Sequence, residues 1–578
     1  MSNKMQFIYL THFLLLFAVC TAHAQGPIIQ SQSYPKGYFR PPLDIPPQAS
    51  GTFAELRTNH FHSGSDYRTQ QRVGHTLYAV ADGYISRIRV QLGGGGNALY
   101  IDHPNGYTSV YMHMHQFSDN ITSVVRAQQY KEQKFDVDVP LESNVIPVKK
   151  GEIIGQAGNS GSSQGPHLHF ELRDTKSEEP INSQLFGLQF PDNIPPTING
   201  ITVYDLGDDA FSEHTGRRHL LVNAGAGGNY TLAQNTIIPV NGRTGFGINT
   251  VDQQSGSSFR NGVYSIELLM DGAPIYTAVF ERFRFDHSRA MNSHIDYPYY
   301  ILKKTRVQKS FVDPNNPLTI YQNLVKNGII AITGNQVHQI TYRVRDVQGN
   351  TSTLSFRVQH NPTYKPEHKN IPGTAIFKYD KENRYSAEHI EITIPENALY
   401  DHLHFSYAQA SKPAKGYSLM QHVHNRMIPL HLGYQLAIKP DETLPEHLYS
   451  KALIVDIQGN SNGGRYENGW VQTTARSFGS FYVGVDTIAP TIRPQNISEG
   501  KNMATLSRMN FLGSDDLSGI QSFNGYLNEQ WVLMEYDPKT RVLWHVFEKS
   551  MPKGKQYFRL EVVDWKDNKQ AYEVNFVR

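Results

Sequence analysis

Gly165-Pro166-His167-Leu168-His169-Phe170-Glu171 reads as a turn that opens into an extended strand. Side chains two apart on a strand share a face. His167 and His169 are therefore expected to point one way, while Leu168 and Phe170 enter a core. Two imidazoles held side by side on a rigid element suit one metal ligand next to one acid/base group. The tetrapeptide by itself decides little. His402-Leu403-His404-Phe405 repeats it and His422-Val423-His424 repeats the spacing. Five His-x-His pairs occur among 25 histidines, so each alone reads as structural.

Around this stretch lies a chain of 578 residues, too long for one core and expected to form roughly three to five domains. The formal net charge is only +2, and no basic stripe points to a nucleic-acid partner. Short Val/Ile/Tyr/Thr-rich runs broken by Gly, Asn, Asp and Pro predict an all-β chain of sandwiches or barrels.

Lys4, the apolar stretch from Phe13 to Val19, and Ala22-His23-Ala24 read as a secretory signal peptide over residues 1–24. The apolar stretch is short for a span of about 20 residues, so no integral membrane span is expected in the mature chain. Val19 occupies the position before Cys20 where lipidation would want a small residue. Cys20 is the only cysteine. A mature chain without it has no disulfide, and a soft-metal site must use His and carboxylates. The expected address is the periplasm or cell surface of a bacterium, after secretion across the inner membrane.

Residues 25–50, rich in Pro, Gln and Ser, read as an N-terminal linker or strap. Residues 51–190 hold nearly all the tight Gly/His groupings, and the run from Pro191 to Thr197 marks a junction. A similar junction runs from Val485 to Thr491. Asp346-Val-Gln-Gly-Asn350, Asp456-Ile-Gln-Gly-Asn460 and Asp564-Trp-Lys-Asp-Asn568 start 110 and 108 residues apart, the length of an immunoglobulin-like sandwich. Asp252…Ser255-Gly256 and Asp516…Ser518-Gly519 form a second recurrence. Three immunoglobulin-like domains are expected, at 191–361 with insertions, 362–485 and 486–578.

Three clusters in 51–190 belong together: His62-Ser63-Gly64-Ser65-Asp66, Tyr111-Met112-His113-Met114 and His167-Leu168-His169. A catalytic zinc takes three protein ligands and leaves a fourth position for water. His62, Asp66 and one histidine of the late pair meet that count, and two histidines remain for proton transfer.

In order along the segment these clusters are joined by Ala81-Asp82-Gly83-Tyr84-Ile85, Gly95-Gly96-Asn97, Ile101-Asp102-His103-Pro104-Asn105-Gly106-Tyr107, Gly151-Glu152-Ile153-Ile154-Gly155 and Gly158-Asn159-Ser160-Gly161. The whole series resembles the lysostaphin/LytM-type zinc metallopeptidases, which cut peptides of bacterial cell walls. Met114 stands where that family usually has Leu. The resemblance implies an antiparallel β-sheet peptidase domain with one zinc ion held by His62, Asp66 and His169. It further implies that His167 is the catalytic histidine and that His113 positions water or stabilises the transition state. Zinc lowers the pKa of bound water from about 15.7 toward about 7, which makes water a usable nucleophile at neutral pH, with His167 as general base and acid.

The expected function is a secreted zinc metalloendopeptidase that hydrolyses stem or cross-bridge peptides of peptidoglycan, with the sandwiches available to a protein partner. The alternative is a non-catalytic cell-wall-binding protein or amidase activator built on the same domain; the complete ligand set argues against it. His60 and His115, each two residues from a site histidine, are candidates to orient one. His103 is expected to serve a strand-turn signature, and Gly93 to Gly96 a turn or groove wall. The charged insertion 116–146 is expected to wall or cover the substrate groove.

Overall fold

Leu168, Phe170 and Leu172 have no exposed surface, and they enter the core from one face of a strand. That strand belongs to a computed structural model that describes residues 28–367, 371, 373, 375–548 and 551–578. The expected signal peptide, residues 1–24, lies outside the described residues. The strand's core face packs Phe170 against Tyr111, with ring centroids 5.3 Å apart. Cutting Phe170 to Ala would cost about 3–5 kcal/mol.

Seven antiparallel strands form the main path of the nine-stranded sheet that carries this face: β1 (Ala49–Gly51), β2 (Ser65–Arg68), β3 (Gly83–Val90), β4 (Ala98–Asp102), β5 (Tyr107–Met112), β6 (Val137–Pro140) and β7 (His167–Asp174), while the short strands Pro147–Val148 and Pro180–Ile181 pair with β3 and β7. Their order is β1-β2-β7-β5-β4-β3-β6. A small second sheet joins Thr76–Tyr78, Ile153–Ala157 and Met114–Phe117. Residues 28–50 lie against this unit, with Tyr34, Phe39 and Leu43 buried in its core.

Three further cores follow along the chain, each enclosed by antiparallel-dominated sheets. In the last, Thr491–Pro494, Arg508–Ser514, Val542–Val546 and Glu535–Asp537 face a sheet of five strands that includes Lys555–Asp564 and Lys569–Val577. The fold is all-β as the sequence texture predicts.

The insertion 116–146 does something else. Its middle forms a helix, α1 (Asp119–Glu132), whose Ile121, Val125 and Gln129 recur every four residues and are buried. The helix stops where Gln133 turns left-handed at φ +51°. No helix among the described residues is long and apolar enough to cross a membrane.

Candidate metal centre and its groove

Asp66 on β2 pairs directly with His169 on β7, and His62 lies in the loop before β2. Asp66 Oδ1 is 3.0 Å from both His62 Nε2 and His169 Nδ1, and those nitrogens are 2.9 Å apart. All three residues are buried. Gly64 is required by this crossing. A Cβ there would come within 2.4 Å of the Phe170 carbonyl oxygen and 2.9 Å of His169 Nε2.

The outward atoms of the three side chains are occupied. His62 Nδ1 donates to the Thr52 carbonyl at 2.7 Å, which leaves Nε2 as the free lone pair. His169 Nε2 donates to Glu171 Oε1 at 2.8 Å, and Arg173 Nε donates to the other oxygen of Glu171 at 2.5 Å. Asp66 Oδ2 accepts from Arg57 at 3.0 Å. Two imidazole nitrogens and one carboxylate oxygen converge, each oriented from behind, so these residues fit the donor set of a catalytic zinc.

Electrostatics follow from burial and close packing. Burial pushes the His62 imidazole down, against the pull of Asp66. It would raise Asp66, but the charge of His62 and the close approach of His167 and His169 hold that carboxyl well below its usual range. Burial also opposes charge on His169, yet Asp66 and Glu171 push it up to about 9. Glu171 is drawn down to about 2 despite its burial, chiefly by Arg173.

His113 and His167 flank the centre. His113 leaves β5 at φ +61°, a left-handed conformation uncommon outside glycine. That bend swings its ring to 4.8 Å from the His167 ring and 6.0 Å from the His169 ring, measured between centroids. Its Nδ1 faces the Ser160 carbonyl at 2.8 Å. Burial, then the charges of His169 and His167, push His113 down to about 3. His167 Nδ1 faces the Gly165 carbonyl at 2.9 Å and the Ser163 hydroxyl at 3.1 Å, and its Nε2 is 3.4 Å from Asp66 Oδ1. The loop 159–163 thus holds both rings. Gly161, at φ +68°, lets the loop press on the Gly-rich turn; a Cβ there would come within 2.4 Å of Gly96 N.

A groove of about 890 Å³ opens over these residues. Gly94 and Gly95 line it, as expected for a groove wall. Phe259 of the first sandwich lines it as well, with the Arg68 guanidinium 5.0 Å from its ring.

No residue of the insertion 116–146 lines this groove. The expectation that it walls the substrate path is corrected: it faces the last sandwich. Arg126 pairs with Glu535 at 3.1 Å, and the Tyr130 and Trp531 rings meet edge to face at 5.3 Å. The last sandwich also reaches the site loop, where the Lys539 ammonium donates to the carbonyls of Asn159 and Ser163.

The sequence reading brought together His62, Asp66, His113, His167 and His169, and missed Arg57, Thr52, Ser160, Ser163 and Lys539. Glu171 was legible through alternation, since it follows His167 and His169 on one face of β7. The others approach from loops or another unit and left no periodic signal. His103 is held by the Asp82 carbonyl and the Ser109 hydroxyl, both at 2.8 Å, and serves the turn. His60 lines the groove and bonds its own backbone neighbour Thr58 at 2.8 Å. His402 stacks on Tyr379, His404 faces Asp209, His422 bonds Ser480 and His424 bonds Ser406, each with a separate partner.

An all-β chain with a buried His-Asp-His centre in an open groove defines a metallopeptidase-type architecture. The family model of Peptidase family M23 matches residues 60–130 and 143–183, and that of the Zu5-like domain matches 374–486. The chain belongs to peptidase family M23. An uncharacterized metalloprotease of Haemophilus influenzae is 30% identical over 178 residues, 30% of this chain and 32% of that protein. The DD-carboxypeptidase/endopeptidase Mpg of Neisseria meningitidis is 34% identical over 137 residues, 24% of this chain and 25% of that protein. The chain thus spans about a third and a quarter of these two relatives. Lipoprotein NlpD of Yersinia enterocolitica is 32% identical over 109 residues, 19% of this chain and 88% of that protein. The solved catalytic domain of lysostaphin from Staphylococcus simulans is 24% identical, covering 23% of this chain and 87% of that one at a TM-score of 0.17.

Proposed function

We propose that the protein is a secreted zinc metalloendopeptidase that hydrolyses stem or cross-bridge peptides of peptidoglycan. The observation that carries this is the convergence of His62 Nε2, Asp66 Oδ1 and His169 Nδ1 on one point at the floor of an open groove. Relatives of Vibrio cholerae named as peptidoglycan DD-endopeptidases support the substrate class.

His62, Asp66 and His169 would hold one zinc ion. When bound, zinc would acidify water and polarise the scissile carbonyl. His167 has its Nδ1 proton committed to Gly165 and Ser163, so Nε2 carries the lone pair that takes a proton and later returns it to the leaving amine nitrogen. His113 has its Nδ1 proton committed to Ser160, so its Nε2 is also an acceptor. That favours a role in orienting the attacking water over one in donating to the carbonyl oxygen. Arg57 and Glu171 fix the ligands. Residues 51–190 form the peptidase domain, and 191–361, 362–485 and 486–578 are three immunoglobulin-like sandwiches.

The test is digestion of purified sacculi by the full chain, with mass analysis of released fragments. His167→Ala should abolish turnover by about 10²–10⁴-fold with zinc content unchanged. Undiminished turnover in that variant would sink the mechanism. No zinc in the purified wild type would instead favour a non-catalytic wall-binding role.

A further inference from the structure

Asp192, Asp252 and Asp346 each present a carboxylate oxygen within 4.8 Å of the other two. Asp192 belongs to the junction after the peptidase domain. Asp252 ends the strand run Arg243–Val251 and Asp346 ends Val337–Arg345, both in the first sandwich. Three like charges in a sheltered space are costly unless a proton or a cation neutralises them.

A second observation separates those cases. Asp252 and Asn261 exchange backbone hydrogen bonds of 3.0 and 2.8 Å, which sets their side chains beside each other. Asn261 is 3% exposed, yet neither its amide oxygen nor its amide nitrogen has a partner, and Asp252 Oδ1 at 7% exposure has none. A cation would engage the two unpartnered oxygens, Asp252 Oδ1 and Asn261 Oδ1, together, where each left unbonded costs about 1–3 kcal/mol. Asp192, Asp252 and Asn261 line one cavity of about 20 Å³, with no Lys, Arg or His among its lining residues. That volume suits about one water-sized occupant.

We propose that Asp192, Asp252, Asp346 and Asn261 form a calcium site at the junction of the peptidase domain and the first sandwich. All donors are oxygens, which selects a hard cation. Magnesium holds several waters in near-ideal octahedral geometry, for which this cavity has no room, whereas calcium accepts irregular oxygen shells. Existing bonds leave capacity for it. Asp192 Oδ1 accepts from Ser255 N and Oγ, both at 2.9 Å, and from Ile194 N at 3.1 Å, so the ligating oxygen there is Oδ2; Asp346 Oδ1 accepts from Asn350 N at 2.9 Å and Oδ2 from Asn350 Nδ2 at 2.6 Å. Each carboxylate oxygen has two lone pairs.

The Asp-x-x-x-Asn turn does not by itself gather carboxylates. Asp456 and Asn460 of the middle sandwich make the same local bonds, and no acidic triplet includes them among the described residues. Asp486, Asp515 and Asp564 do repeat the triplet before the last sandwich, which corrects the sequence register: Asp515, not Asp516, matches Asp252. There the ammonium of Lys566 lies close by, bonded to the Ala452 and Gly464 carbonyls, so the proposal is confined to the first triplet.

The consequence reaches the groove. Asp252 and Asn261 clamp the base of the loop that carries Phe259, and Phe259 lines the substrate groove. Calcium would fix that wall and the angle between the two units.

The experiment is calorimetric titration of the zinc-loaded, calcium-free full chain with calcium chloride, and separately with magnesium chloride. Asp252→Asn should bind one calcium equivalent fewer than wild type, and calcium should raise the unfolding temperature of wild type by more than that of the variant. Equal stoichiometry in both, no binding at millimolar calcium, or equal affinity for magnesium would overturn the site. Should Asp252→Asn not fold, Asn261→Ala adds no charge and should weaken calcium binding roughly tenfold; unchanged affinity there overturns the proposal equally. Zinc content is unaffected by either outcome.

Discussion

Lys539 and His167 are joined through a single residue. The Lys539 ammonium donates to the Ser163 carbonyl at 3.2 Å, and the Ser163 hydroxyl lies 3.1 Å from His167 Nδ1. A turn of the last sandwich thereby touches the loop that orients the proposed general base, 372 residues away in sequence (539 − 167).

Lys539→Ala removes a charged donor from two carbonyls of that loop. A hydrogen bond to a charged group contributes about 1.5–3 kcal/mol, reduced here by solvent. Turnover on sacculi should fall several-fold with zinc content unchanged. Identical kcat in variant and wild type would show that the contact does not position the loop.

Glu171→Gln keeps size and removes the charge that His169 and Arg173 share. Changes behind a metal ligand cost about 10–100-fold in metal affinity, measured by competition with a zinc chelator. Arg173, 8% exposed, would lose its ionic partner, a penalty of about 3–5 kcal/mol for a buried pair. Both the zinc affinity and the denaturant midpoint should drop.

His294 supplies a pH dependence away from the metal. It is fully buried against Phe61 and Phe280, and burial pushes it down to about 4 despite its bond to Gln308. Its unfolded value is about 6.5. Between those values the unfolded chain binds the extra proton, so the contribution is complete above about pH 6.5 and is lost as pH falls toward about 4. The loss approaches about 3 kcal/mol. Urea unfolding at pH 7.5 and 5.0 should show a smaller decrease for His294→Gln than for wild type.

Docking of α1 on the last sandwich should rest more on rings than on charges. The Arg126–Glu535 pair is partly exposed, with side chains 41% and 23% accessible, and such pairs contribute about 0–1 kcal/mol. The Tyr130–Trp531 contact adds about 0.5–1.5 kcal/mol beyond the area it buries. Trp531→Ala should therefore speed proteolysis at the 485–491 junction more than Arg126→Ala. The reverse order would contradict this.

The sequence by itself determined the all-β class and singled out His62, Asp66, His113, His167 and His169 as one candidate set. Both are written in short-range patterns: two-residue alternation through Leu168, His169, Phe170 and Glu171, the His-x-Gly-x-Asp loop, and turn residues at regular intervals. Alternation fixes which side chains share a face, and Gly64 fixes where a loop can cross a strand. Tertiary structure alone decided that the 116–146 helix docks on the last sandwich. The four-residue spacing of Ile121, Val125 and Gln129 announces a helix, yet its partner, Trp531, lies about 400 residues further on. Lys539 on the Ser163 loop, Phe259 in the groove wall and the Asp192–Asp252–Asp346 cluster share that cause. Each joins residues through packing between separately folded cores, and such contacts leave no period in the sequence.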